Sequence, residues 1–407
     1  MPELNRRKAI AAGTAGLLSP LARAHAALSQ DPMPHESQEP REFLTPAQEF
    51  TDVSRGNPVP HSLSGQAAID ARLTPDSWRL EIEVEAPATL EKPRSLAADS
   101  ALHYADLTAL GRTHAVHFLK AMQCNNIALP LGQGLWTGVP LRAVLALCGE
   151  LNNARRLYYW GFHNNDPKQI FRSSLAMNQV LDAPPGDLPP FLAYALNGEP
   201  IPLERGGPVR MVVPWAHGFK SVKWLQKIIL TNHYEANDTY ALANNDPESY
   251  LKTAAYFDST DPESHRANAA FLIHGTAMVG WPGLARVEYW LRPATGAETN
   301  LPINHPDWAD ANWIPAEIDP PPAQWGNDFQ GAPAPQAVWG FDNTGKLREW
   351  PMRFSIAHWT ARIPPQKPGK YELRVRTVDR NGFAQPQPRP SQKSGQNLVA
   401  CKLLQID

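Results

Sequence analysis

Apolar and polar residues alternate in short runs along the first half of the chain, with the period of a half-buried β-strand. SWRLEIEVEA, at residues 77–86, shows this alternation, and ARRLYYWGF and PVRMVVP have the apolar character of buried strands. Residues 139–148 and the stretch SSLAMNQVL have helical spacing instead. These elements interleave without regular βαβ units and without a Gly-x-Gly-x-x-Gly loop. The pattern therefore predicts a mixed α+β domain over residues 66–240 and does not support a dinucleotide-binding fold.

A second group of alternating runs lies near the carboxyl terminus. They are ARVEYWLRPA, MRFSIAHW, KYELRVRTVD and NLVACKLLQI, and DRNG at residues 379–382 is typical of a turn between the last two. Helical signals are few in this part of the chain, so we predict a β-sandwich over residues 265–407. The polar stretch NHYEANDTYALANNDPESYLK before it is interpreted as a linker.

A long stretch without clear periodicity, residues 301–350, interrupts the second group of strands. It is rich in proline and contains five tryptophans: Trp308, Trp313, Trp325, Trp339 and Trp350. Loops of this length are usually functional or anchored by their own side chains. The tryptophans either pin the stretch to its domain or form a docking surface for a partner.

The amino terminus has the features of a twin-arginine signal peptide, which we predict at residues 1–26. The pair Arg6-Arg7 precedes an apolar stretch at 9–18 and the small residues of Ala24-His25-Ala26. A frayed basic tail is the alternative. We expect export of the folded protein to the periplasm, an extended arm over residues 27–65, and no membrane span, because every apolar stretch is too short.

Composition excludes some classes of protein. The 38 Lys and Arg residues nearly balance the 40 Asp and Glu residues, for a net charge of −2, which argues against nucleic-acid binding. Three cysteines are too few for a disulfide framework. The chain has no Cys-x-x-Cys-His motif, so we expect no covalently bound haem on it. Cys148 and Cys401 lie in apolar runs and are interpreted as core thiols.

Cys124 differs from the other two cysteines because it follows the predicted strand HFLKAMQ and precedes a loop of Asn, Pro and Gly. A thiolate there would suit a soft metal held next to an open loop. Taken from the residues alone, an inert buried thiol is the alternative.

Three stretches in order resemble the sulfite oxidase family of molybdopterin-dependent oxidoreductases. They are HFLKAMQCNN with LWTGVPLRAVL, LAYALNGEPIPLERGGPVRMVVPWAHGFKSVKWLQKIILT, and HGTAMVGWPGLARVEYW with KPGKYELRVRTVDRNGFAQPQ. The resemblance implies a molybdopterin-binding α+β domain followed by an immunoglobulin-like dimerisation domain. It also implies a molybdenum-molybdopterin cofactor with one pterin.

The resemblance assigns roles to individual residues. Cys124 matches the protein ligand of molybdenum, and Tyr194 matches a tyrosine whose hydroxyl faces the metal. Arg55 matches an arginine that meets cofactor and substrate, and Trp136 matches an aromatic wall of the substrate channel. The cofactor contacts that it implies are Arg55, Asn57, Arg205, Arg210, Phe219, Lys220, Ser221 and Lys223.

Physical chemistry is compatible with these assignments. Arginine grips a phosphate through two parallel hydrogen bonds, lysine acts as a point charge, and backbone amides of a turn bind anions. Surface charges and a core aromatic are the alternatives for the basic residues and for Tyr194.

The chain also departs from the sulfite-oxidising members. In those members a substrate-binding arginine follows the ligand cysteine after a few residues. Here Asn125 and Asn126 follow Cys124, and no arginine occupies that place. Pro282 aligns with a second substrate arginine of those members, and Arg286 is close to it in the sequence. A doubly negative substrate needs compensating charge in a desolvated pocket, so we predict a less cationic pocket. Sulfane dehydrogenase subunits also lack the first arginine and have a strand that resembles HFLKAMQC.

The resemblance implies that a small reduced-sulfur compound, of the sulfite or sulfane type, is oxidised by oxygen-atom transfer. Electrons would then pass to a separate c-type cytochrome, and the protein would form a homodimer or partner a cytochrome subunit. One alternative is a member of the same superfamily that reduces a sulfoxide or another neutral acceptor. A non-enzymatic alternative is an exported two-domain binding protein.

Overall fold

The computed structural model describes residues 43–125, 127, 129–182, 187–239, 250–259, 261–294, 301, 305–322, 338–386 and 397–407. The predicted signal peptide, and the extended arm up to residue 42, lie outside the described residues.

Two five-stranded sheets organise the first part of the described chain. One has the order β3-β1-β12-β7-β8; the other has the order β10-β9-β5-β4, with β11 paired to β9. The strands are β1 Arg79–Val84, β2 Thr89–Leu90, β3 Leu102–His103, β4 Val116–Met122, β5 Gly132–Pro140, β6 Leu151–Asn152, β7 Arg156–Gly161, β8 Ser173–Ala176, β9 Phe191–Leu196, β10 Glu199–Pro200, β11 Arg210–Val212 and β12 Leu225–Thr231.

Helices are short in the described residues, and none is long and apolar enough to cross a membrane. The α-helices are α1 Gly65–Asp70, α2 Tyr104–His114, α3 Leu141–Ala146, α4 Met177–Leu181 and α5 Asp307–Asp310. The 3-10 helices are Pro60–Ser62, Pro167–Gln169, Leu203–Arg205 and Gly218–Lys220. A mixed fold of many strands and few helices is therefore confirmed.

Pairing between strands makes two of the helices shorter than the sequence predicts. The helix predicted at 139–148 begins at Leu141, because β5 pairs with β9 as far as Pro140. Residues 173–176 form β8 instead of the first turn of a helix, since they pair with the edge of β7. Only Met177–Leu181 are helical there.

The hairpin of β4 and β5 positions Cys124. The two strands are antiparallel with Met122 opposite Gly132, so Cys124 lies in their connecting loop, two residues past the end of β4. The Gly218 amide donates to the Gln123 carbonyl at 2.6 Å. This bond ties the end of β4 to the turn at residues 218–221.

The carboxyl-terminal strands form one continuous eight-stranded sheet, in the order β13-β15-β18-β17-β16-β19-β20-β14, whose two halves share one core. β13, β15 and β18 pair on one side, β16, β19, β20 and β14 pair on the other, and β17 pairs with both β16 and β18. The strands are β13 Ala254–Phe257, β14 Glu263–His265, β15 Phe271–Met278, β16 Leu284–Pro293, β17 Ile314–Ile318, β18 Ile356–Ile363, β19 Gly369–Asp379 and β20 Ala400–Ile406. Alternate side chains such as Ile273, Trp359, Val287 and Val375 are buried in one cluster, as in a sandwich.

Tryptophans hold the described parts of the 301–350 stretch against the protein. Trp308 and Trp313 stack with ring centroids 6.3 Å apart, and both contact Trp290 of β16. Trp339 packs edge-on to Phe118 of β4 at 5.3 Å. The Nε1 of Trp350 donates to the Asp319 carbonyl at 2.8 Å. These contacts favour the pinning interpretation for four of the five tryptophans; Trp325 lies outside the described residues.

The sequence predicts a linker after β12, but residue 238 in that segment is fully buried. The Asp238 carboxylate pairs with the Lys220 ammonium at 2.7 Å and accepts from the hydroxyls of Ser173 and Ser174 at 2.7 and 2.6 Å. Asp238 therefore packs behind the turn at 218–221.

We expect Asp238→Ala to lower the free energy of unfolding by about 3–5 kcal/mol, because it leaves the buried Lys220 ammonium beside two hydroxyls and no carboxylate. The measurement is urea unfolding. The exposed Glu235 of the same segment supplies the control Glu235→Ala, which should change little. Equal stability of the two variants would contradict the role given to the buried pair.

Candidate active site

A cavity of about 190 Å³ lies beside Cys124. Its walls combine the half-buried thiol, four basic side chains and a largely apolar surface. The predicted site residues in its lining are Arg55, Cys124, Arg205, Arg210, Phe219, Ser221 and Lys223. The fold thus brings together residues that are up to 168 positions apart, from Arg55 to Lys223.

Three of the basic residues, Arg205, Arg210 and Lys223, form what we call the cation trio. Arg210 lies on β11 and donates through Nη1 to the Arg205 carbonyl at 2.7 Å and through Nη2 to the Ser221 carbonyl at 2.6 Å. Arg205 ends a 3-10 helix and donates through Nη1 to the Phe50 carbonyl at 2.6 Å. Backbone acceptors hold both guanidinium groups at the cavity wall without neutralising them.

Burial and the repulsion between like charges lower the pKa values of Arg210 and Lys223. Burial, and then the charge of Arg205, lower the pKa of Arg210 to about 9. Burial, and then the charge of Arg210, lower the pKa of Lys223 to about 8, although Asp52 opposes this shift. Like charges held out of water disfavour each other's charged form, and a nearby anion relieves that cost. The trio is thus suited to a negatively charged group.

The turn at residues 218–221 forms another wall. Gly218–Lys220 is a 3-10 turn, and a Cβ on Gly218 would lie 3.2 Å from the Gln123 carbonyl oxygen. Phe219 and Ser221 line the cavity. The side chain of Lys220 does not line it: its ammonium pairs with Asp238 and donates to the Ser174 carbonyl at 2.7 Å. Lys220 therefore anchors the turn from behind.

Residues 50–57, which we call the strap, cross one side of the cavity. Phe50, Thr51, Val53, Ser54 and Arg55 line it. The Arg55 guanidinium lies 5.3 Å from the ring centroid of Phe171. Asn57 is exposed and outside the lining, and its amide donates to Gln169 Oε1 at 3.0 Å. The structure thus places Arg55, but not the Asn57 side chain, at the cavity.

Two aromatic residues predicted to face the reaction centre lie outside the lining. Trp136 is fully buried one layer back, with the Arg210 guanidinium 4.9 Å from its ring centroid. It supports Arg210 instead of forming a channel wall. Tyr194 packs against α2, where a Cβ on Gly111 would lie 2.6 Å from its hydroxyl, and burial raises its pKa.

The later candidate arginine, Arg286, is also outside the lining. Its Nε pairs with Glu288 of the same strand at 2.6 Å. The described residues therefore give the cavity the trio and Arg55, and no cation from the carboxyl-terminal sheets.

Two charged residues that the sequence did not single out contribute to the site. Lys120 of β4 is fully buried, and its ammonium donates to the Pro214 and Ala216 carbonyls at 2.7 and 2.9 Å. Burial, and then the charge of Arg210, lower its pKa to about 7. Asp52 of the strap pairs with Lys223 at 3.0 Å. The position of Lys120 inside the apolar run HFLKAM is a sequence signal that could have identified it. No sequence signal identifies Asp52.

The donor chemistry of the cavity fits a cofactor that carries an anionic group and a soft metal. Arg210 Nε is buried and has no hydrogen-bond partner among the described residues. The trio offers positive charge, and the thiol of Cys124 lies at the same cavity. Since thiolates bind soft metals and arginines bind phosphates, both halves of such a cofactor would find partners here.

Comparison with known proteins agrees with this chemistry. Residues 66–239 match the family described as "Oxidoreductase molybdopterin binding domain". Nitrate reductase [NADH] 2 of Phaseolus vulgaris is 34% identical over 125 residues, which are 28% of this chain and 14% of that protein. The protein-methionine-sulfoxide reductase catalytic subunit MsrP of Xanthomonas campestris pv. campestris is 29% identical over 174 residues, 40% of this chain and 47% of that protein.

Both matches cover less than half of the relative's own length. Among solved structures, the sulfane dehydrogenase SoxCD from Paracoccus pantotrophus matches with a TM-score of 0.56 at 18% identity, over 97% of this chain and 96% of that one. At this identity the likeness shows a shared fold. Residues 66–239 therefore form an oxidoreductase molybdopterin-binding domain, in which Cys124 and the cation trio line one cavity.

Proposed function

We propose that this protein is a periplasmic molybdenum oxidoreductase that oxidises a small reduced-sulfur compound and passes the electrons to a separate c-type cytochrome. The observation that carries the proposal is that the Cys124 thiol and the cation trio line one cavity. The fold shared with a sulfane dehydrogenase supports the class of substrate. The twin-arginine motif, Arg6-Arg7, supports export of a protein that folds around its cofactor first.

In this proposal a cofactor with one pterin and no haem occupies the cavity. Cys124 would hold the metal, and Arg205, Arg210 and Lys223 would hold the pterin phosphate. When bound, the cofactor supplies oxygen-atom transfer and two-electron redox chemistry.

The described protein fixes the thiol and the anion site relative to each other. The bond from Gly218 to Gln123 and the clamp of Lys120 on Pro214 and Ala216 join the end of β4 to the segment that continues into Lys223. Rigid positioning of this kind lets a cofactor bind without distorting the site. Arg55, over Phe171, places one positive charge beside apolar walls that include Val53 and Phe162. It would orient a substrate that carries little negative charge, because the trio is engaged by the cofactor.

Those same apolar walls favour a second candidate function, the reduction of a sulfoxide. The relative MsrP is named for that activity, and a neutral sulfoxide needs no additional cation in the pocket. Dimer formation through the carboxyl-terminal domain, which we propose to be immunoglobulin-like, is compatible with either activity.

Cys124→Ser should lower the molybdenum content of the purified protein on the order of tenfold or more, because a hydroxyl is a poor ligand for a soft metal. Elemental analysis of protein made in a host that supplies the cofactor measures this. Cys401, half-buried on β20, provides the control Cys401→Ser, which should retain its molybdenum. A fully loaded Cys124→Ser protein would rule out the thiol as a ligand.

Substrate assays separate the two directions of reaction. We expect turnover of sulfite or thiosulfate with ferricyanide or cytochrome c as acceptor, and little turnover of methionine sulfoxide with reduced viologen. The reverse ranking would favour the reductase. Molybdenum-free protein that still binds sulfur compounds would favour the non-enzymatic alternative.

The affinity of the cofactor-free protein for sulfate should fall as the pH rises above about 8. Lys223, whose pKa burial and the charge of Arg210 lower to about 8, is protonated below that pH and loses its charge above it, and sulfate stays a dianion throughout. We expect a decrease of up to about tenfold per pH unit, measured by calorimetry. Lys223→Arg should shift the decrease to higher pH, and a flat profile up to pH 10 would be inconsistent with Lys223 as an anion ligand.

A further inference from the structure

The hydrogen-bonding capacity of Lys223 is fully used within the protein. An ammonium has three N–H donors. Here they meet Asp52 Oδ1 at 3.0 Å, Ser54 Oγ at 2.7 Å and the Glu204 carbonyl at 2.6 Å. An anionic ligand can therefore reach this ammonium only by replacing one of these acceptors.

The three acceptors differ in how readily a ligand can displace them from the Lys223 ammonium. The Glu204 carbonyl belongs to the backbone of a 3-10 helix next to Gly206. A Cβ on Gly206 would lie 2.6 Å from Cγ of Lys223, so the lysine stem is tightly confined at this position. Asp52 and Ser54 belong to the strap, where Asp52 is exposed. The strap side chains can move outward without breaking a helix.

Asp52 is organised as an anion at this position. Its carboxylate accepts from the Ser54 amide at 3.0 Å and from the Ser54 hydroxyl at 2.5 Å, and His61 Nε2 lies 3.8 Å away. Burial alone would raise its pKa, but the bonds from Ser54 and Lys223 outweigh burial and lower the pKa to about 2. Asp52 thus compensates one of the three positive charges of the trio when no ligand is bound.

Fixed points on both sides of Asp52 keep the strap at the cavity when its centre moves. Arg205 holds the Phe50 carbonyl, and the Thr51 amide donates to the Leu131 carbonyl at 2.8 Å. At the other end, the Asn57 amide bonds to Gln169. Displacement of Asp52 therefore requires only a hinge motion within the strap, and the two ends of the strap stay attached.

We propose that the Asp52 carboxylate holds the place of the ligand's dianionic group on Lys223, and that this group enters by displacing Asp52 and moving the strap outward. This inference rests on the proposed anion site at the cation trio. It makes Asp52 a positioning residue that sets the strength and the net charge of the site.

The test is sulfate binding to cofactor-free protein at pH 7.5, combined with hydrogen exchange of the strap. Asp52→Asn should bind sulfate on the order of tenfold more tightly, since the competing charge is gone. Ser54→Ala should shift affinity in the same direction by less. Asp76→Asn, at an exposed aspartate outside the site, is the matched control and should not differ from the wild type. Sulfate should speed amide exchange in the wild-type strap, and in Asp52→Asn exchange should already be fast without it.

Equal sulfate affinity in the wild type and Asp52→Asn would overturn the proposal, and so would sulfate-induced protection of the strap. The result is separable from the proposed function. Protein that contains molybdenum but shows no effect of Asp52 would refute the displacement alone. Tighter sulfate binding by Asp52→Asn in a protein that never acquires molybdenum would refute the proposed function alone.

Discussion

Three positive side chains held largely out of water, Arg205, Arg210 and Lys223, impose the electrostatic constraint around which this site is built. Burial, and then the repulsion between their charges, lowers the pKa values of Arg210 and Lys223, so the fold tolerates the trio only with compensating groups. Backbone carbonyls supply part of it, and the Asp52 carboxylate supplies one full charge. The positive charge that remains uncompensated favours the binding of a negatively charged ligand at this cavity.

The surrounding architecture gives this charge a fixed geometry. The loop after β4 carries the thiol, and the segment from Pro214 to Lys223 carries one member of the trio. Lys120 and the bond from Gly218 to Gln123 fasten that segment to the strand end. The pair of Asp238 and Lys220 supports the same segment from behind. Charged groups in the interior thus serve mainly to hold backbone in place, which explains why several of them face carbonyls instead of the cavity.

The cavity has its positive charge in two separate places. Positive charge is concentrated where Arg205, Arg210 and Lys223 meet, whereas Arg55 stands against the ring of Phe171. In the function that we propose, the cofactor anion and a nearly neutral substrate would therefore have different surroundings in one cavity.

The sequence by itself determined the elements whose signal is local. Alternation located the strands around Leu80, Val287 and Val375, and the motifs around Cys124 and Arg210 indicated a molybdopterin-binding domain and several of the residues that line the cavity. It did not determine where helices begin when a strand pairing competes, as at Leu141 and Ser173, because such pairing depends on distant residues. Only the tertiary structure showed that Trp136 lies behind Arg210, that Asp238 is buried, and that Asp52 meets Lys223. Periodicity and motifs report on a residue and its near neighbours, whereas a side chain's partner across 171 positions is decided by how the sheets and loops pack.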